Sequence, residues 1–135
     1  MREWVAITSS DGYTRHFFRT KFWAESPKTY GDVVFQPDPL PEEVAARELN
    51  ESERRQILSY PSTELPVFVG HYWMQGKPAP LKTNVACIDY SAVKYGKLVA
   101  YRMDDERELH PDKFVMIDVE RSDRRAPDAS NRNAG

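Results

Sequence analysis

Ten prolines and six glycines punctuate a chain of 135 residues, and the prolines cut it into short pieces. Each proline fixes φ, removes a backbone donor and biases its predecessor away from the helical region. Gln36-Pro37-Asp38-Pro39-Leu40-Pro41 therefore cannot hold regular structure and reads as a connector. Pro61 ends whatever helix precedes it, and the stretch from Met74 to Lys82, rich in proline and glycine, reads as a loop. Few apolar runs are left that are long enough to build a complete sheet.

Composition narrows the function classes. Nineteen basic and 21 acidic side chains give a formal charge of −2, so bulk electrostatic binding of nucleic acid, which needs a basic surface, is not expected. No apolar run approaches the roughly 20 residues that span a bilayer, and Met-Arg-Glu-Trp does not open a secretory signal. The single cysteine, Cys87, has no internal disulfide partner, which suits a reducing compartment. These features predict a soluble cytoplasmic protein with no nucleic-acid or membrane partner. Residues 1–120 are expected to fold, and 121–135, polar and without a large apolar residue, to form a disordered tail.

Residues 1–35 read as strand-like pieces: Trp4-Val5-Ala6-Ile7, a turn at Ser9-Ser10-Asp11-Gly12, and Val33-Val34-Phe35. Between them, Tyr13 to Trp23 mixes aromatics with Arg15, His16, Arg19 and Lys21. Packing of Arg stems on aromatic faces accounts for that mixture better than a nucleic-acid surface does. Pro41 suits a first helical position before a helix reaching Leu49. Asn50 and Glu53 form a capping-box pattern ahead of a second helix, Glu51 to Tyr60, with Ile57 and Leu58 as its apolar anchor. Pro66-Val67-Phe68-Val69-Gly70 reads as a strand buried on both faces, and further strands are expected at Val85–Tyr90, Lys97–Arg102 and Phe114–Val119. The predicted class is α/β, with short helices in the middle and a mostly antiparallel carboxyl-terminal β segment.

Three histidines and one cysteine restrict the chemistry. No Cys-x-x-Cys or His-Glu-x-x-His spacing, nucleophile elbow or phosphate loop occurs. Cys87, between Ala86 and Ile88, reads as a buried structural thiol. The informative unit is Val67-Phe68-Val69-Gly70-His71-Tyr72-Trp73, where a histidine directly follows a short apolar strand. Ligands gather at the carboxyl ends of strands in α/β folds, and Gly70 would let the backbone approach a bulky neighbour. A neutral imidazole there is a competent ligand for zinc, manganese or iron. The alternative is a histidine satisfied by hydrogen bonds at the edge of a core. His16 and His110 read as structural.

Pro66 to Trp73, then Asn84-Val85-Ala86-Cys87-Ile88-Asp89-Tyr90-Ser91, then Gly96 to Arg102, together resemble the carboxyl-terminal end of bacterial calcineurin-like metallophosphoesterases. The likeness is to members related to serine/threonine protein phosphatases and dinucleoside tetraphosphatases. Asp11-Gly12 with Arg15, Arg19 and Phe22-Trp23 is similar to the middle of those proteins, so the resemblance covers most of residues 10–118. It implies part of an α/β/β/α sandwich. It also implies a pair of divalent ions (manganese, iron or zinc) that clamp a phosphoryl group while a bridging hydroxide attacks phosphorus. The substrate would be a phosphorylated small molecule or a phosphoprotein.

Carried over residue by residue, His71 matches the late Gly-His element as a ligand to one metal. Asp89 is expected to be structural or to act behind the ligand, and Tyr72 and Trp73 either line the cleft or pack in the core. The family's Asp-x-His, Gly-Asp-x-x-Asp-Arg-Gly and Gly-Asn-His-[Asp/Glu] motifs are not in the chain. Gly31-Asp32, followed by Val33-Val34, does not stand in for the second, nor do Asp11 and His16 form the first. One ligand remains where a dinuclear site needs roughly seven or eight. The expectation is a carboxyl-terminal fragment, inactive alone, with sheet edges that the missing half should cover. A non-enzymatic binding module and one half of a split phosphoesterase are the alternatives.

Overall fold

A computed structural model of the chain describes residues 7–8, 12–15, 19–35 and 40–120. Among the described residues helix and strand are mixed, and every pairing between strands but one is antiparallel. The expected tail, residues 121–135, the run 36–39, Asp11 and His16 lie outside the described residues.

The amino-terminal part begins with two small ladders. β1 (Ile7–Thr8) pairs with β2 (Thr14–Arg15), and β3 (Arg19–Thr20) pairs with β4 (Val34–Phe35). The strand expected at Val33–Phe35 is shorter, because Val33 closes α1 (Tyr30–Val33). Asp32 caps that turn: its carboxylate accepts from the backbone N–H of Lys28 and of Thr29, both at 2.9 Å. Those bonds hold its pKa below the usual carboxylate value.

Both expected helices are cut short by tertiary pairing. α2 covers only Glu42–Ala45, with Pro41 at its N-cap rather than inside it. Beyond Ala46 the chain turns to bond Tyr30 N–H to Arg47 O (2.9 Å) and Leu49 N–H to Lys28 O (2.8 Å), which buries Leu49. α3 (Glu51–Gln56) starts at the expected capping box, where Asn50 and Glu53 bond reciprocally at 2.9 and 2.8 Å. It ends before Ile57 because the chain extends to place Tyr60 N–H on Phe22 O at 2.7 Å. Leu58, expected as an anchor, is 84% exposed.

The carboxyl-terminal part holds two three-stranded sheets. In the first, β5 (Val67–Val69) lies parallel to β7 (Val85–Cys87), and β6 (Pro80–Lys82) pairs antiparallel on the other side of β7. The expected loop thus ends in a strand; its proline sits on the sheet edge beside a register shift, where a missing donor is tolerated. In the second, β9 (Lys97–Tyr101) lies between β8 (Asp89–Tyr90) and β10 (Phe114–Asp118). The run read as one strand, Val85–Tyr90, breaks at Ile88 and serves both sheets. A glycine is required at Gly96, where a Cβ would stand 2.2 Å from Tyr90 O.

The core sits on β7. Val85, Ala86, Cys87 and Asn84 are all fully buried, with Tyr90, Val99 and Leu109 nearby at under a tenth exposed. Asn84 Nδ2 donates to Pro61 O (2.8 Å) and Glu64 O (3.0 Å), which ties the segment after α3 to the central strand.

Candidate metal-binding loop

The parallel pair decides what lies at its carboxyl end. Val67 pairs with Val85 and Val69 with Cys87, a constant offset of 18 residues. Continued by two residues, that register sets His71 beside Asp89, and His71 N–H donates to Asp89 Oδ2 at 2.8 Å. The other carboxylate oxygen, Oδ1, accepts from Ser91 N–H at 3.0 Å, while Asp89 O accepts from Met74 N–H at 2.9 Å. Asp89 therefore staples both ends of the loop that carries His71.

Within that loop His71 (φ 67°) and Trp73 (φ 49°) are left-handed. For residues with a Cβ this costs on the order of 1–3 kcal/mol each, and surrounding bonds must hold it. Among the protein's own atoms, a Cβ at Gly70 would meet only Asp89 Cβ at 4.0 Å. His71 is exposed. Among the described residues its imidazole has a ring contact with Trp73, 6.1 Å between centroids and edge-on. It is presented to solvent rather than satisfied inside a core.

Two cations flank the loop. Arg19 Nη1 donates to His71 O, and its guanidinium lies 5.9 Å from the Tyr72 ring centroid. Lys94 Nζ stands 3.4 Å from the Trp73 ring centroid. Tyr72 packs edge-on against Trp23 (5.1 Å) and Phe35 (4.8 Å) and donates its hydroxyl to Thr20 O at 3.2 Å. Arg19 lies over the Tyr72 ring, and Tyr72, against Trp23, Phe35 and Thr20, docks the β3–β4 ladder against the loop; residues 16–18 of the aromatic and basic stretch lie outside the described residues. Sequence reasoning singled out neither Lys94 nor the grip of Arg19.

The remaining candidates are structural. Cys87 is fully buried, and burial raises its thiol pKa, which leaves it a poor nucleophile. His110 is exposed, and its backbone N–H donates to the Tyr101 hydroxyl at 3.0 Å. Asp32 is engaged in its helix cap.

A dinuclear metal centre needs converging donors. Among the described residues no group of three or more His, Cys, Asp or Glu side chains is placed to hold a metal ion. Asp89 already spends both oxygens on backbone N–H groups. The residues present supply one imidazole and do not by themselves fit a metal pair. No family model, curated protein or solved structure matches the chain. Among the described residues no helix is long and apolar enough to cross a membrane.

Proposed function

We propose that this chain is the carboxyl-terminal part of a calcineurin-like metallophosphoesterase domain. It contributes His71 as one ligand to a centre of two divalent ions, manganese, iron or zinc, whose other ligands come from outside these residues. The reaction class is hydrolysis of a phosphoric ester or anhydride, in a phosphorylated small molecule or a phosphoprotein. The chain alone is inactive, because one imidazole does not bind a catalytic metal at useful affinity. The observation that carries the reading is the exposed His71 imidazole, just past the carboxyl end of β5 on a loop stapled by Asp89.

A split enzyme completed by an amino-terminal piece is the second reading. The uncovered face of the β8–β9–β10 sheet favours it, with Leu98 62% and Ile117 67% exposed as direct cross-strand partners. The test is manganese-dependent hydrolysis of p-nitrophenyl phosphate. The chain alone is expected to give none. Addition of a segment carrying the Asp-x-His, Gly-Asp-x-x-Asp-Arg-Gly and Gly-Asn-His motifs is expected to restore it, and His71→Ala to abolish it again. Hydrolysis by the chain alone that disappears in His71→Ala would overturn the claim of inactivity.

A further inference from the structure

We propose that β10 is a self-pairing edge: two copies of this chain join β10 to β10, antiparallel, about a two-fold axis at Met116. The contact lies at the edge of the β8–β9–β10 sheet away from β8 and the His71 loop, and it is independent of any chemistry at His71. The hydrogen-bond phase of the ladder decides which groups of β10 are open. In an antiparallel pair, opposite residues alternate between those that exchange both backbone bonds and those whose N–H and C=O turn away. Arg102 N–H bonds Lys113 O at 3.0 Å and Val119 N–H bonds Gly96 O at 2.9 Å. Between these two bonds the register runs without a shift, from Phe114 against Tyr101 to Asp118 against Lys97. Val115 and Ile117 therefore bond β9, while Phe114, Met116 and Asp118 turn their backbone groups to the far side. Among the described residues no strand lies there. Edges of this kind are ordinarily blunted by a proline, a bulge or an inward charge. Phe114-Val115-Met116-Ile117-Asp118 has no proline and no bulge, and its charge comes last.

Symmetry selects a second copy as the occupant. With the axis at Met116, the two Met116 residues exchange both backbone bonds, and Asp118 N–H of each copy reaches Phe114 C=O of the other. The N–H of Phe114 is already turned to Pro111 O. With the axis one residue to either side, only two of the three outward residues find one another. On the open face Val115, 46% exposed, comes beside Ile117 of the second copy, 67% exposed, and such cross-strand pairs are favourable. Asp118 meets Phe114 rather than its own twin. The opposite edge, β8, has two residues and is too short to carry pairing further, so association closes at two copies. Five residues a side fall far short of the roughly 20–30 a side of a stable interface. The dimer is accordingly weak, with a dissociation constant on the order of 100 µM.

The test is sedimentation equilibrium of the 135-residue chain from about 10 µM to about 1 mM, with amide exchange in β10 read by NMR. A monomer–dimer equilibrium is expected, and exchange at Met116 and Asp118 should slow as concentration rises. Met116→Pro removes an N–H that β9 does not use, a position where an edge strand tolerates proline. It should raise the dissociation constant about tenfold or more. Met116→Lys and Met116→Glu each set like charges across the axis and should each be monomeric, whereas their equimolar mixture should restore the dimer. That mixture keeps the question answerable should Met116→Pro fail to fold. A chain that stays monomeric throughout, or one that forms larger assemblies in place of a dimer, would overturn the self-pairing. So would a mixture of the charged variants that gains nothing over either alone. A dimer kept in Met116→Pro but lost in Ile117→Lys would overturn it too, and would assign the contact to the open face of the sheet.

Discussion

The two carboxyl-terminal sheets are neighbours along the chain and are joined at Ile88, yet they are built in opposite ways. The β5–β7–β6 sheet has strands of three residues, and its middle strand is fully buried. The β8–β9–β10 sheet has two five-residue strands in register, and much of one face is open: Leu98, Ala100, Val115 and Ile117 are all exposed. Length of ladder and depth of burial are therefore separate quantities. The short sheet fixes the His71 loop because its middle strand is buried and pairs with β5 in a constant parallel register. The longer ladder is held by its backbone bonds and by edge charges such as Lys97 to Asp118 at 2.6 Å.

The largest effect should come from the buried sheet. Asn84→Asp would replace the donor to Pro61 O and Glu64 O with a carboxylate oxygen in a fully buried position. A loss of about 3 kcal/mol or more is expected in urea unfolding. The native Oδ1 is buried and has no hydrogen-bond partner, so Asn84→Ala, which removes it as well, should cost less than Asn84→Asp. Next comes Lys82→Met. The Lys82 side chain is 8% exposed and bonds Tyr60 O at 2.8 Å and Glu25 at 3.2 Å. Its replacement should cost about 1–2 kcal/mol, read by the same unfolding curve.

The ladder sheet should respond to acid instead. Glu106 takes a hydrogen bond from Lys113, which lowers its pKa from the ordinary 4.5 to about 2. A depressed carboxylate contributes stability that is full above its unfolded value and is lost as pH falls through the folded one. Stability should therefore decline from about pH 4.5 towards about pH 2, and Glu106→Gln should flatten that part of the profile in pH-dependent unfolding. The smallest folding effect is expected on the open face. Ile117→Thr, at a residue 67% exposed, should change stability by no more than about 0.5 kcal/mol. Equal losses for Ile117→Thr and Asn84→Asp would break the contrast between the sheets.

Particular residues show what could be read in advance. β9 and β10 were legible because each is a compact apolar run between turn signals, and Gly96 marks the turn before β9. The capping box at Asn50 was legible because it is local. Where α2 and α3 end was not, since Leu49 and Tyr60 answer to Lys28 and Phe22, which propensity does not see. The break at Ile88 lies inside a stretch, Val85–Tyr90, that reads as one strand. At the candidate site, His71 was found by its place after a strand and Asp89 was expected to be structural or to act behind the ligand, but the left-handed backbone of His71 and the bonds by which Asp89 holds the loop were not legible. Both follow from the parallel pairing of β5 with β7, a contact 18 residues apart that only the folded chain reveals.

The most direct test of His71 as a presented ligand uses His110, which is also exposed, as its control. Mn²⁺ is titrated into the labelled protein, and relaxation of the His71 and His110 imidazoles is compared in one sample. Selective broadening at His71, with its loop neighbours Tyr72 and Trp73 affected and His110 left sharp, is the predicted result. Equal broadening of both rings, or none at His71 while the spectrum stays folded, would contradict it.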